Sequence, residues 1–143
     1  MILFVCTGNT CRSPMAEAIA RKMLAEAGID CAVASAGVSA MNGANASAHA
    51  ITVMGEAGCD ITGHRARLFS NALAAEAKWV LTMTRGHLNA ILSVCPEASP
   101  KIFLLGSEVP DPYGGSRETY RQCATQIETY MQVWIKKLRE EGI

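Results

Sequence analysis

Cys6 and Arg12 are separated by five small or polar residues, Thr7-Gly8-Asn9-Thr10-Cys11, and are followed by Ser13-Pro14-Met15-Ala16-Glu17. An apolar run, Met1-Ile2-Leu3-Phe4-Val5, leads into the cysteine. The spacing predicts a buried strand, a tight loop, and a helix with Ser13 as N-cap and Pro14 in its first position. Backbone N–H groups at such a junction lack helical partners, and the helix dipole adds partial positive charge. A ring of amides with a guanidinium at its edge suits a tetrahedral dianion. The same field favours a thiolate at Cys6, and a thiolate beneath a bound phosphoryl group is an attacking nucleophile. Cysteines that end strands are more often inert core residues. Here the strand before and the Ser-Pro helix start after give the loop its chemical context. No Gly-Lys-Ser/Thr follows, so this is not a nucleotide-binding loop.

Phosphoryl transfer through a cysteinyl-phosphate also needs a proton donor for the leaving group and a base for water. Asp111-Pro112-Tyr113-Gly114-Gly115 supplies the best candidate. Asp-Pro alone is ordinarily a turn former; paired with the Cys/Arg loop, Asp111 is read as general acid. Tyr113 beside it is a candidate pocket wall, the alternative being an exposed loop aromatic.

These residues need a frame, and strand and helix signals alternate along the chain as in parallel βα units. Residues 1–6 read as a first strand and 14–27 as a helix ended by Gly28. Residues 31–36 read as a second strand, followed by a helix capped by Ser47 and running to about Glu56. Asn71 is expected to cap a short helix to Ala77, before a third strand at 79–83. A helix from Thr84 to about Val94 stops before Pro96, and Lys101 to Leu105 reads as the fourth strand. Ser116 caps a long last helix whose Tyr120, Cys123, Ala124, Ile127, Met131, Trp134 and Leu138 form a core-facing stripe. Ligands of open parallel sheets bind beyond the strands' carboxyl ends, where Cys6 and Asp111 both fall.

The chain has 143 residues, half of them hydrophobic, with 13 basic and 13 acidic side chains. That length and composition predict one domain with a full core. The balanced charge gives no support for nucleic-acid or membrane-surface binding. The first residues hold no basic region and no long apolar stretch, so no signal peptide is read, and no run is long enough to span a bilayer. Six cysteines without a secretory signal predict reduced thiols in a cytoplasmic protein. Neither metal-ligand spacing nor a cofactor signature is present.

Together, Cys6–Ser13, Ser35-Ala36-Gly37, His64 in Gly-His-Arg-Ala-Arg, and Asp111-Pro112-Tyr113 resemble the low-molecular-weight protein tyrosine phosphatase family nearly end to end. The resemblance implies an α/β three-layer sandwich, a four-stranded parallel sheet flanked by helices on both faces. It implies Cys6 as nucleophile, Arg12 as phosphate binder and Asp111 as acid then base. Thr7, Gly8, Asn9, Thr10, Cys11 and Tyr113 would line the substrate site, with Asn9, Ser13, Ser35 and His64 hydrogen-bonded to hold the loop's shape. His64, from the residues alone, is a structural loop polar group. The resemblance also implies that Cys11 can trap an oxidised Cys6 as a disulfide, stopping oxidation at a reversible step.

The sequence departs from the tyrosine-specific pattern of that family. Thr10 stands where those members carry a larger aliphatic residue, residues 38–46 contain no aromatic, and Gly114 replaces a second ring. A phenyl phosphate would be held poorly by so thin an apolar slot. Thr10 and the Asp-Pro-aromatic-Gly-Gly-Ser run resemble the bacterial protein-arginine phosphatase branch, which implies phosphoarginine on proteins as substrate. Phosphotyrosine is the alternative; an arsenate reductase and a non-catalytic phosphoprotein-binding module are more distant ones. Cys59, Cys95 and Cys123 form no close pair in sequence for a redox shuttle. Phosphorylated proteins are the expected partners, and the expected state is a monomer or weak dimer.

Overall fold

The computed structural model describes residues 1–141. Its elements are β1 (Ile2–Cys6), α1 (Arg12–Glu26), β2 (Val33–Gly37), α2 (Ala48–Glu56), α3 (Asn71–Glu76), β3 (Trp79–Thr82), α4 (Arg85–Val94), a 3-10 turn (Pro96–Lys101), β4 (Ile102–Leu104) and α5 (Arg117–Glu140). The four strands are all parallel, in the order β2-β1-β3-β4. A sheet buried on both faces explains why β1 is apolar throughout: all five of its residues are buried. Ile2, Phe4 and Cys6 join a core with α1, α2 and α5, while Leu3 and Val5 join a second core with α3 and α4. This is the expected three-layer arrangement with helices on both faces.

The chain leaves β1 toward β2 and later returns past it to β3. The strand order therefore reverses between β1 and β3, and the loops beyond their carboxyl ends open a crevice there. The α5 stripe packs into the first core as its spacing requires, with Ile127, Met131 and Leu138 fully buried. Trp134 meets Trp79 edge-on at 4.9 Å and donates its indole N–H to the Leu105 carbonyl at 2.6 Å, fixing where the β4–α5 loop begins.

Three helix starts differ in detail from expectation. Helix α1 begins at Arg12, its N-cap position is Cys11, and no side chain caps it. Ser13 is a helical residue instead, because its hydroxyl serves buried neighbours: the Cys6 sulfur at 2.9 Å and the Asn9 amide at 2.8 Å. Pro14 lies within the first turn, where its missing N–H costs no helical bond. Helix α3 is capped by Ser70 rather than Asn71, since Ser70 has the extended backbone of a cap and accepts from the Leu73 N–H. Ser47 occupies the cap position of α2 without capping it, and accepts from the Cys11 thiol at 3.4 Å. Thr84 and Ser116 do cap α4 and α5. The first three strands lie within a residue or two of their expected bounds, and β4 is shortened by the unforeseen Pro96–Lys101 turn.

Candidate active site

The loop from Cys6 to Arg12 is fixed by its polar side chains. Asn9 adopts φ = 56°, a conformation a non-glycine side chain tolerates only with compensation. Compensation is complete, and Asn9 is fully buried. Its amide nitrogen donates to Ser13 at 2.8 Å and to Ser35 at 2.9 Å. Its side-chain oxygen accepts the Arg67 N–H at 2.9 Å, and its backbone carbonyl lies 2.8 Å from His64 Nε2. Ser35 in turn donates to Glu17 at 2.6 Å. The Ser13 hydroxyl, accepting from the Asn9 amide, lies 2.9 Å from the Cys6 sulfur and 3.4 Å from the Ala36 carbonyl.

Gly37 makes this loop possible from outside. A Cβ there would lie 2.4 Å from the Thr7 carbonyl and 2.8 Å from the Asn9 nitrogen. Only glycine lets β2 pass so near, and Val38 and Ser39 then donate their N–H groups to the Cys6 and Thr7 carbonyls at 2.9 Å each.

Arg12 is 4% exposed, yet all its anchors face the site. Nη1 donates to the Val109 carbonyl at 2.9 Å, Nη2 reaches the Thr7 hydroxyl at 3.4 Å, and Asp111 Oδ2 stands 3.7 Å away. The guanidinium thus joins the β1–α1 loop to the β4–α5 loop. Val109 is held in turn by donating to the Met83 carbonyl at 2.9 Å. Asp111 itself is about half exposed, and its Oδ1 accepts the Tyr113 N–H at 3.1 Å. Tyr113 is 76% exposed.

A cavity of about 250 Å³ is lined by Cys6, Thr7, Gly8, Thr10, Cys11, Arg12, Asp111 and Tyr113. Its floor is a sulfur and a guanidinium, its side the uncapped start of α1, and its mouth a carboxylate and one aromatic. That arrangement can hold a tetrahedral oxyanion over a sulfur with a proton donor on the open side. Ser13, Ser35 and His64 are brought together behind the loop rather than in the cavity. Among the described residues, no group of three His, Cys, Asp or Glu side chains is placed to hold a metal ion.

Comparison with known proteins agrees in order and extent. The low molecular weight phosphotyrosine protein phosphatase family matches residues 1–142. The chain belongs to this family. Among its relatives, a protein-arginine-phosphatase of Geobacillus stearothermophilus is 40% identical, over 98% of this chain and 97% of that one. The low molecular weight protein-tyrosine-phosphatase Wzb of Escherichia coli (strain K12) is 35% identical, over 99% and 97%. A solved mutant of the YwlE arginine phosphatase with a phosphorylated active-site serine superposes with a TM-score of 0.93. It is 34% identical, covering 96% of this chain and 95% of that one.

Within this phosphatase fold the structure adds residues that the motifs did not name. Tyr120, assigned only to the core stripe, also brings its hydroxyl to 3.3 Å from the Cys11 sulfur. Burial and that bond push its phenol up to about 12. Glu17 and Arg67 support Ser35 and Asn9. His87, on the first turn of α4, is 2.8 Å from the Thr7 hydroxyl through Nε2. The reversal of strand order explains its position, because the loop after β3 shares the crevice with the loop after β1. The remaining cysteines include two kept as thiols: burial pushes Cys123 up to about 12, and burial with Glu97 raises Cys95.

Proposed function

We propose that this protein phosphatase hydrolyses phosphoarginine on proteins through a phosphocysteine at Cys6. The Cys6 sulfur attacks phosphorus, and the P–N bond to the guanidinium breaks as Asp111 gives its proton to the leaving nitrogen. Arg12 and the α1 amides hold the phosphoryl oxygens while negative charge moves from sulfur to the leaving group. Asp111, now a carboxylate, takes a proton from water; that oxygen attacks phosphorus, the P–S bond breaks and phosphate leaves. The solved relative with phosphate on its active-site serine supports a phosphoenzyme of this kind.

The choice of phosphoarginine rests on the cavity mouth. Tyr113 is the one aromatic among the lining residues and is mostly exposed. Gly114 follows it at φ = 81°, so the loop's path disfavours a second ring at that position. What the mouth does offer is polar: the Asp111 carboxyl group, whose oxygen can accept from a guanidinium N–H, and the Thr10 hydroxyl, which stands over Gly8. The arginine-phosphatase relative at 40% identity supports this reading. Phosphotyrosine is the second reading, favoured by the Wzb relatives and by Tyr113 itself. Turnover of paired phosphoarginine and phosphotyrosine peptides decides between them. A higher kcat/KM for phosphoarginine is expected, and a preference for phosphotyrosine overturns it.

We also propose that Cys11 protects the nucleophile. A peroxide converts the Cys6 thiolate to a sulfenic acid, and the Cys11 thiol displaces water from it to form a disulfide. Ser47 and Tyr120 hold the Cys11 sulfur in place beside the loop. Peroxide treatment followed by peptide mapping should recover Cys6 joined to Cys11; over-oxidised Cys6 with free Cys11 would refute the role.

A further inference from the structure

We propose that His87 is a positioning residue of the phosphate site, a neutral imidazole whose Nε2–H turns the Thr7 hydroxyl into a donor for a phosphoryl oxygen. The inference rests on the phosphatase reading above and adds a residue from the loop beyond β3.

The assignment follows from placing every proton. Thr84 Oγ1 accepts the His87 backbone N–H at 3.2 Å and lies 3.0 Å from His87 Nδ1. The Thr84 hydroxyl still has its own proton to place, and Nδ1 is its acceptor. Nδ1 therefore accepts, and the neutral ring carries its proton on Nε2. Nε2 then donates to Thr7 Oγ1 at 2.8 Å, where Arg12 Nη2 also donates at 3.4 Å. Both lone pairs of Thr7 are filled, and its own proton is free for the cavity it lines with Cys6, Gly8 and Arg12. In the other tautomer Thr84 Oγ1 would receive two N–H groups, and the proton of this half-buried hydroxyl would have to turn to solvent instead of to the ring.

The ring must be uncharged for this to work, since a doubly protonated imidazole would aim Nδ1–H at the Thr84 hydroxyl and set a second cation beside Arg12. Burial, and next Arg12 on α1, lower its pKa to about 4, while Glu108 and Asp111 on the β4–α5 loop pull the other way. His87 is 6% exposed and bridges Thr84 after β3 to Thr7 after β1, the two strands at the reversal of order.

The test measures inorganic phosphate binding by calorimetry, beside kcat/KM on a phosphoarginine peptide. His87→Phe and Thr7→Val should each weaken phosphate binding about tenfold, the effect of losing a hydrogen bond to a charged group. The double variant should be no weaker than Thr7→Val alone, because His87 acts through that hydroxyl. His87→Gln, whose amide reaches toward the Nε2 position, should retain most of the affinity, and the shorter His87→Asn should not. These two variants carry the test should the phenylalanine variant fail to fold. Nitrogen-15 spectra of the imidazole should show the proton on Nε2. Equal losses from His87→Phe with and without Thr7→Val, equal affinities for the Gln and Asn variants, or a proton on Nδ1 would each overturn the inference. Variants that bind and turn over like the native protein overturn it while leaving the phosphatase reading intact. A native protein that neither binds phosphate nor turns over sinks both.

Discussion

The loops 6–13 and 106–115 line one cavity and are built in opposite ways. In the first, Asn9, Arg12 and Ser13 are buried, and the side chain and carbonyl of Asn9 are engaged by partners on α1, on β2 and in the loop between α2 and α3. In the second, Val109 is buried and anchored, but Asp111 and Tyr113 are exposed and bonded mainly to each other. The part that holds the phosphoryl group is preorganised, at a cost in backbone strain at Asn9 that its hydrogen bonds offset. The part that donates the proton and meets the rest of the substrate sits on a loop whose exposed residues can change without disturbing the core. Substitutions of the buried, bonded residues Asn9, Arg12 and Ser13 should therefore damage stability and catalysis together; those at Asp111 and Tyr113 should change catalysis alone.

The sharpest break is at the nucleophile. Cys6→Ser should reduce turnover about 10⁴-fold or more while still binding inorganic phosphate, read by peptide turnover and calorimetry. Asp111→Asn keeps the shape but cannot give or take the proton. It should reduce kcat about 10²- to 10⁴-fold with the unfolding midpoint unchanged. Asn9→Ala should do both kinds of damage. It leaves the Arg67 N–H and two serine hydroxyls short of a partner and sets alanine at a positive φ, a loss of about 3 kcal/mol in urea unfolding with turnover falling in parallel. An Asn9→Ala protein of native stability would erase the contrast between the loops. Thr10→Ile should move the ratio of kcat/KM values toward phosphotyrosine by about tenfold, the scale of a modest change in pocket shape.

A last effect is on pH. His87 has a folded pKa of about 4, below its ordinary 6.5, so the unfolded chain binds more protons between those values. Stability from this group is complete above about pH 6.5 and is lost as pH falls through 4, a change of about 3 kcal/mol. Urea unfolding at a series of pH values should show that slope, and His87→Gln should flatten it.

The strands, their alternation with helices and the cysteine loop were legible because each leaves a local mark: an apolar run, alternating strand and helix signals, a compact motif. The start of α1 was misread at Ser13 because capping propensity is a local preference, and buried partners competed for the same hydroxyl. Ser70 was passed over for Asn71 for a lesser reason, two good caps standing side by side. His87, Glu17, Arg67 and the hydroxyl of Tyr120 left no mark at all, since each reaches the loop only through the fold. Tyr120 was half legible: its ring belongs to the periodic stripe, while its oxygen belongs to Cys11.

One measurement bears on the nucleophile most directly. Rapid quenching during turnover of a phosphoarginine peptide, followed by mass spectrometry of the N-terminal peptide, should find phosphate on Cys6. Turnover with Cys6 never phosphorylated, or with phosphate on another residue, would contradict the account.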